Sequence, residues 1–186
     1  MSSQVTLSKI TQGANGVVAV TPSNLLAPYT ITISPDATLS FTPGTVEAQL
    51  TLYGEIQLTI PPNGTDSIDL TTGLITGSQS LTIVNSDNSG ALVFTTGVKY
   101  IETVLTPGAS GISLFPGASN GWLGPLNAVS DSISVRGSTS TGLGGNYREV
   151  CGDSIGFTVN STHKVLCIEN TDGSHTATVN LYLGGN

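Results

Sequence analysis

The chain has 186 residues, with five Lys and Arg against twelve Asp and Glu, a net charge of −7 and a sequence pI of about 4.4. Charged residues make up only 9%, about a third of the usual share. The five cations (Lys9, Lys99, Arg136, Arg148, Lys164) stand singly, which argues against a nucleic-acid partner, since that needs clustered cations to displace counterions. No apolar run approaches the roughly 18 residues of a membrane helix, so no membrane partner is expected. The start, MSSQVTLSKI, has neither a basic n-region nor an apolar h-region, so no secretory signal is expected either. Val, Ile and Leu are plentiful enough to exclude disorder, and the length suits one domain or two small ones.

Residues 1–28 hold a short candidate strand, VTLSKI, a turn at Gly13–Gly16, a second candidate strand at Val17–Val20, and then TPSNLLAP. This region reads either as an N-terminal arm that packs on a neighbouring subunit or as ordinary edge strands. From Tyr29 the pattern sharpens: Tyr29, Ile31 and Ile33 alternate with Thr, and Leu39 and Phe41 lead into Pro43-Gly44. Ala48, Leu50, Leu52, Gly54, Ile56, Leu58 and Ile60 then share one parity, with Glu47, Gln49, Thr51, Tyr53, Glu55, Gln57 and Thr59 on the other. A period of two held this long predicts a strand with its even face buried and its odd face wet. Gly54 marks the expected bend or bulge, and Pro61-Pro62 end the ladder by removing two N–H donors.

Φ-x-Pro-Gly occurs at Phe41–Gly44, Leu105–Gly108 and Leu114–Gly117. Pro fixes φ at the second turn position and Gly takes positive φ at the third, so each should close a strand. Further strands are predicted at Val98–Leu105, Ile112–Phe115, Ile133–Val135, Tyr147–Cys151, Ile155–Val159, Lys164–Glu169 and Thr176–Leu183. Gly137–Asn146 reads as a surface loop.

One pattern is stated twice. Leu81–Ser89 reads LTIVNSDNS and Leu166–Ser174 reads LCIENTDGS, each following an Asp-Ser-Ile (Asp66–Ile68 and Asp153–Ile155); Asp131–Ile133 is a third. In each copy an alternating strand enters an Asn/Asp/Ser cluster and an apolar stretch follows (Ala91–Phe94, Ala177–Leu183), which predicts two β-hairpins. With no helical periodicity anywhere, the fold class is all-β: an antiparallel β-sandwich, jelly-roll-like, with a sandwich region over 29–186 and two duplicated halves, 29–117 and 118–186.

Catalytic chemistry is thin. His163 and His175 both fall in predicted turns, and although Asp172 is near His175, no Gly-x-Ser-x-Gly nucleophile elbow is present. Glu47 and Glu55 lie on one wet strand face, where solubility explains them better than a glycosidase pair. No catalytic, cofactor or metal residue is predicted. The Asn85/Asp87 and Asn170/Asp172 clusters resemble the start of a calcium loop, but position 12 is Thr96 or Leu181 instead of Glu, so self-bonded turns are the better reading. Asn63-Gly-Thr65 and Asn160-Ser-Thr162 match the glycosylation sequon and, without an export signal, are read as turns. A symmetric turn at Ser161–Thr162 would set Cys167 opposite Ile155 or Gly156 and away from Cys151, so both thiols are expected reduced. Trp122, between two glycines, either plugs its own core or serves as a partner anchor.

The run SIGFTVNSTHKVLCIENTDGSHTATVNLYLGG, with its echo IPPNGTDSIDL and SLTIVNSDNSG, resembles the capsid decoration (cement) proteins of tailed bacteriophages. The resemblance covers the last third of the chain and, loosely, the middle. It implies a non-enzymatic virion structural protein that assembles in the host cytoplasm, commonly as a homotrimer, with the major capsid protein as partner and the capsid surface as its place. A jelly-roll major capsid or tail protein, and a carbohydrate-binding module for host recognition, are the alternatives.

Overall fold

The computed structural model describes residues 16–20, 29–33, 42–43, 49–50, 52–77, 81–85, 91–140, 144–151, 153 and 155–186. Among them every regular element is a strand: β1 (Gly16–Val20), β2 (Tyr29–Ile33), β3 (Thr42–Pro43), β4 (Gln49–Leu50), β5 (Leu52–Ile60), β6 (Thr65–Asp69), β7 (Leu74–Thr76), β8 (Leu81–Asn85), β9 (Gly97–Leu105), β10 (Gly111–Pro116), β11 (Ile133–Arg136), β12 (Gly145–Val150), β13 (Phe157–Thr158), β14 (Val165–Asn170) and β15 (Ala177–Gly185). Two antiparallel sheets dominate. One runs β11-β10-β14-β6-β7; the other runs β12-β9-β15-β5-β8, with β13 also on β9. Their inner faces contribute to one apolar cluster, with Ile68, Ile112, Leu114, Leu166 and Ile168 from the first and Ile56, Leu58, Ile101, Leu181 and Leu183 from the second. This is a sandwich in the ordinary sense: two sheets, each burying one face against the other.

The pairings are nested. Of the strands taken in chain order as β5, β6, β9, β10, β11, β12, β14 and β15, the first pairs with the eighth, the second with the seventh, the third with the sixth and the fourth with the fifth. Two further pairings, β15 with β9 and β14 with β10, join these into the sheets. Strands β7 and β8 lie between β6 and β9 in the chain and extend one sheet each, on β6 and β5. Among the described residues, strands β1 and β2 pair only with each other. VTLSKI, TPSNLLAP, Leu39, Phe41, Glu47, Ala48 and Asp87 lie outside the described residues.

Two expectations are corrected here. The second repeat is not a hairpin, because β14 and β15 belong to different sheets and the Asn-Thr-Asp-Gly-Ser turn carries the chain across the sandwich. In the first, Ala91–Phe94 forms no strand; Leu92 and Phe94 instead drop into the core, with the Phe94 N–H on the Leu70 carbonyl at 2.8 Å. Both sheets interleave strands from before and after residue 117 and share one core, so the stretches 29–117 and 118–186 form one sandwich and not two.

Strand β5 keeps the predicted parity: Leu52, Gly54, Ile56, Leu58 and Ile60 are buried and Gln57 is exposed. Gly54 makes no bulge; it pairs in register with Leu183, and the irregularity falls across the sheet at Gly184/Gly185. Leu105–Gly108 closes β9 as expected, with Gly108 at φ 133°. Leu114–Gly117 closes β10 without positive φ at Gly117, whose N–H instead reaches the Val165 carbonyl at 2.9 Å. Strands β6 and β7 were not anticipated.

Candidate functional site

Three places gather the polar chemistry. The first is the turn end of the sandwich, where chain crossovers meet. Asn170, fully buried, donates to the carbonyls of Ile60, Pro61 and His175 and accepts the Asp172 N–H at 3.0 Å. Asp172 accepts the N–H groups of Ser174 (2.8 Å), His175 (3.0 Å) and Ser110 (2.8 Å). Its backbone carbonyl takes the Asn63 N–H at 3.1 Å, while Gly108 and Gly137 bond Ser138 and Ser110 across the adjacent loop. Backbone donors, led by Ser174, hold the Asp172 carboxyl well below the usual carboxylate range. A carboxylate already filled by N–H donors has little capacity left for a cation, so the self-bonded turn is the reading that fits. His175 Nδ1 lies 3.2 Å from the same carboxylate, with the His175 side chain about half exposed. Asn85 is described in backbone only.

The second place is Trp122. Its side chain is wholly buried, with Phe157 edge-on at a centroid distance of 6.1 Å. Gly124 lies on the ring at φ 47°, where an added Cβ would come within 2.6 Å of the indole. The Gly-Trp-Leu-Gly spacing therefore serves packing. The partner-anchor expectation is corrected, because none of the indole reaches the surface. A shallow groove over this plug is lined by Leu123, Gly124, Leu126, Phe157, Asn160 and His163.

The third place is the outer face of the six-stranded sheet, and sequence reasoning missed most of it. Register sets Glu55, Tyr182, Glu102 and Arg148 in one row across β5, β15, β9 and β12, with Gln57, Asn180, Val104 and Asn146 in the next. Tyr100 donates a short hydrogen bond to one Glu102 oxygen and Asn146 Nδ2 donates to the other at 2.8 Å. Tyr182 bonds both Glu55 and Asn180, and Gln57 Nε2 reaches Asn180 Oδ1 at 3.0 Å. Burial raises the Glu55 carboxyl against the opposing hydrogen bond from Tyr182. Burial and then the Glu102 charge push the Tyr100 hydroxyl far above its ordinary value, and burial and Glu55 do the same to Tyr182. Leu50 on β4, Tyr53 and Tyr100 all crowd the space over Gly184, and both tyrosine rings are buried on what parity alone marks as a wet face. A lone Glu in an apolar strand gave no signal for Glu102. Only the pairing of β9 with β15 brings it opposite Tyr182.

Elsewhere both cysteines are free thiols, and Cys167 pairs across the sheet with Ser67 and Phe115, not with Ile155 or Gly156 as a symmetric turn would require. At Asn160 the sequon is a turn, its Oδ1 taking the Thr162 and His163 N–H groups; Asn63 is a turn residue at φ 55°. Among the described residues no three His, Cys, Asp or Glu side chains group as metal ligands, and no helix is long and apolar enough to cross a membrane. Comparison with protein-family models, with curated proteins and with solved structures finds no match to this chain.

Proposed function

We propose that this chain is a virion structural protein of the decoration (cement) kind, which binds the outer capsid surface as a homotrimer and stabilises the shell without catalysing a reaction. The observation that carries the reading is the nesting of the eight strands, first with last through fourth with fifth. We read it as a jelly roll, an architecture that recurs in viral capsid and lectin domains. Fold alone does not decide function, and two features of the chain add support. The chain is rich in Ser, Thr, Asn and Gly and only 9% charged, which suits attachment through area and repetition. One end of the sandwich is locked by Asn170 and Asp172, so its crossover loops form a stiff platform.

Three identical footprints linked in one trimer bind with an avidity that a single weak contact lacks. With few cations, attachment to the shell should depend only weakly on salt. Sedimentation of the purified chain, followed by co-sedimentation with undecorated capsids across a salt series, tests this. A trimer that pellets with shells at low and high salt is expected. A monomer that stays in the supernatant at every salt concentration would overturn the reading.

A further inference from the structure

The outer face of the six-stranded sheet carries more oriented hydrogen-bonding groups than solubility requires. Strands lie about 4.8 Å apart, so the Gln57–Asn180–Val104–Asn146 row runs about 14 Å across the face. Gln57 and Asn146 are exposed, Asn180, Tyr182, Glu55, Arg148 and Val104 half-buried, and Glu102 lies buried behind them. The internal bonds already fix the geometry: Gln57 holds Asn180, Asn180 holds Tyr182, Tyr182 holds Glu55, and Asn146 holds Glu102. Those bonds use one N–H each of Gln57 and Asn146 and leave acceptors, namely the Gln57 and Asn146 amide oxygens and the remaining lone pairs of Glu55, beside one further N–H on each amide. Arg148 supplies donors, and it has no ion pair among the described residues.

The charge on this face selects the ligand. Two carboxylates against one guanidinium repel phosphates and acidic sugars, and the described residues include no cluster of metal ligands. Interleaved acceptors and donors with the Tyr182 ring and Val104 between them match a neutral polyhydroxyl chain. Its hydroxyls donate to carboxylate and amide oxygens and accept from guanidinium, while its C–H faces lie on apolar surface. We infer that this face binds a neutral glycan along the Gln57–Asn180–Val104–Asn146 row, with Glu55 and Arg148 reaching ring hydroxyls. The inference does not depend on shell attachment, which uses a separate readout.

Isothermal titration of the full chain with maltohexaose, cellohexaose, mannohexaose and chitohexaose tests it, with an oligogalacturonate as the anionic comparator. Saturable binding of at least one neutral hexasaccharide is expected. Gln57→Ala and Asn180→Ala should each weaken it about fivefold to tenfold in variants that remain folded at the titration temperature, and Val129→Ala, on an exposed loop off this face, should leave it intact. Absence of neutral binding at millimolar ligand, binding of the anionic sugar alone, or full affinity in both alanine variants would overturn it.

Discussion

Asp69 shows how single side chains set the acid stability of this fold. Burial alone would raise its pKa, but the Lys164 ammonium at 2.7 Å and the Thr71 hydroxyl and N–H outweigh that and hold it at about 2, below its reference of 3.8. A depressed folded pKa contributes stability that is full above the unfolded value and is lost as pH falls through the folded one. Unfolding free energy should therefore fall between pH 3.8 and about 2, and Asp172 adds to the same limb. Denaturant titrations across this range should show a shallower acid limb for Asp69→Asn, with a loss at neutral pH of about 1 kcal/mol. An unchanged limb would remove Asp69 from the account. Trp122 belongs to the same scale. Trp122→Ala should cost about 3–5 kcal/mol because the indole fills the core end with no surface to lose, and an effect below about 1 kcal/mol would mean the site collapses freely. Addition of a glycan should leave Trp122 fluorescence unchanged, since the proposed binding face is elsewhere.

At the scale of elements, β5 carries the clearest test. Leu58 has no exposed surface and Gln57 is open to solvent on the opposite face of the same strand. Leu58→Asp should abolish folding, since an unpaired buried carboxylate costs several kcal/mol, while Gln57→Asp should shift the thermal midpoint only slightly. Equal effects in calorimetry would contradict the assignment of faces. The period-two signal made this strand legible, and β14 and β15 show the same alternation, whereas β9 and β10 were legible from the Pro-Gly turns that close them. Tyr53 was not: it has the parity of a wet residue, yet it is buried where Leu50 and Tyr100 also crowd the space over Gly184, a meeting of separate strands that periodicity cannot express. Strand β6 was missed because Thr-Asp-Ser-Ile-Asp has little apolar content of its own and is held by pairing with β14.

The whole molecule is where sequence reasoning lost most. The all-β class and the turn character of Asn170–Ser174 could be read from residue types, because Asn, Asp and Ser bond their own backbone. Whether such a turn returns the chain to the same sheet or carries it across the sandwich depends on which strands lie beside it, and here β14 joins β6 and β10 while β15 joins β5 and β9. Repeated wording therefore suggested repeated hairpins, and the long-range pairings made a nested sandwich instead. The Glu55–Tyr182–Glu102 row was hidden for the same reason, its members lying far apart in the chain and adjacent only in register.

That nested sandwich leads to the claim that the chain stabilises a shell, and differential scanning calorimetry of undecorated capsids with and without the purified chain tests it most directly. Saturating chain should raise the capsid melting temperature, by mass action on the intact shell, and the rise should persist at high salt. An unchanged capsid transition at saturating chain would contradict it.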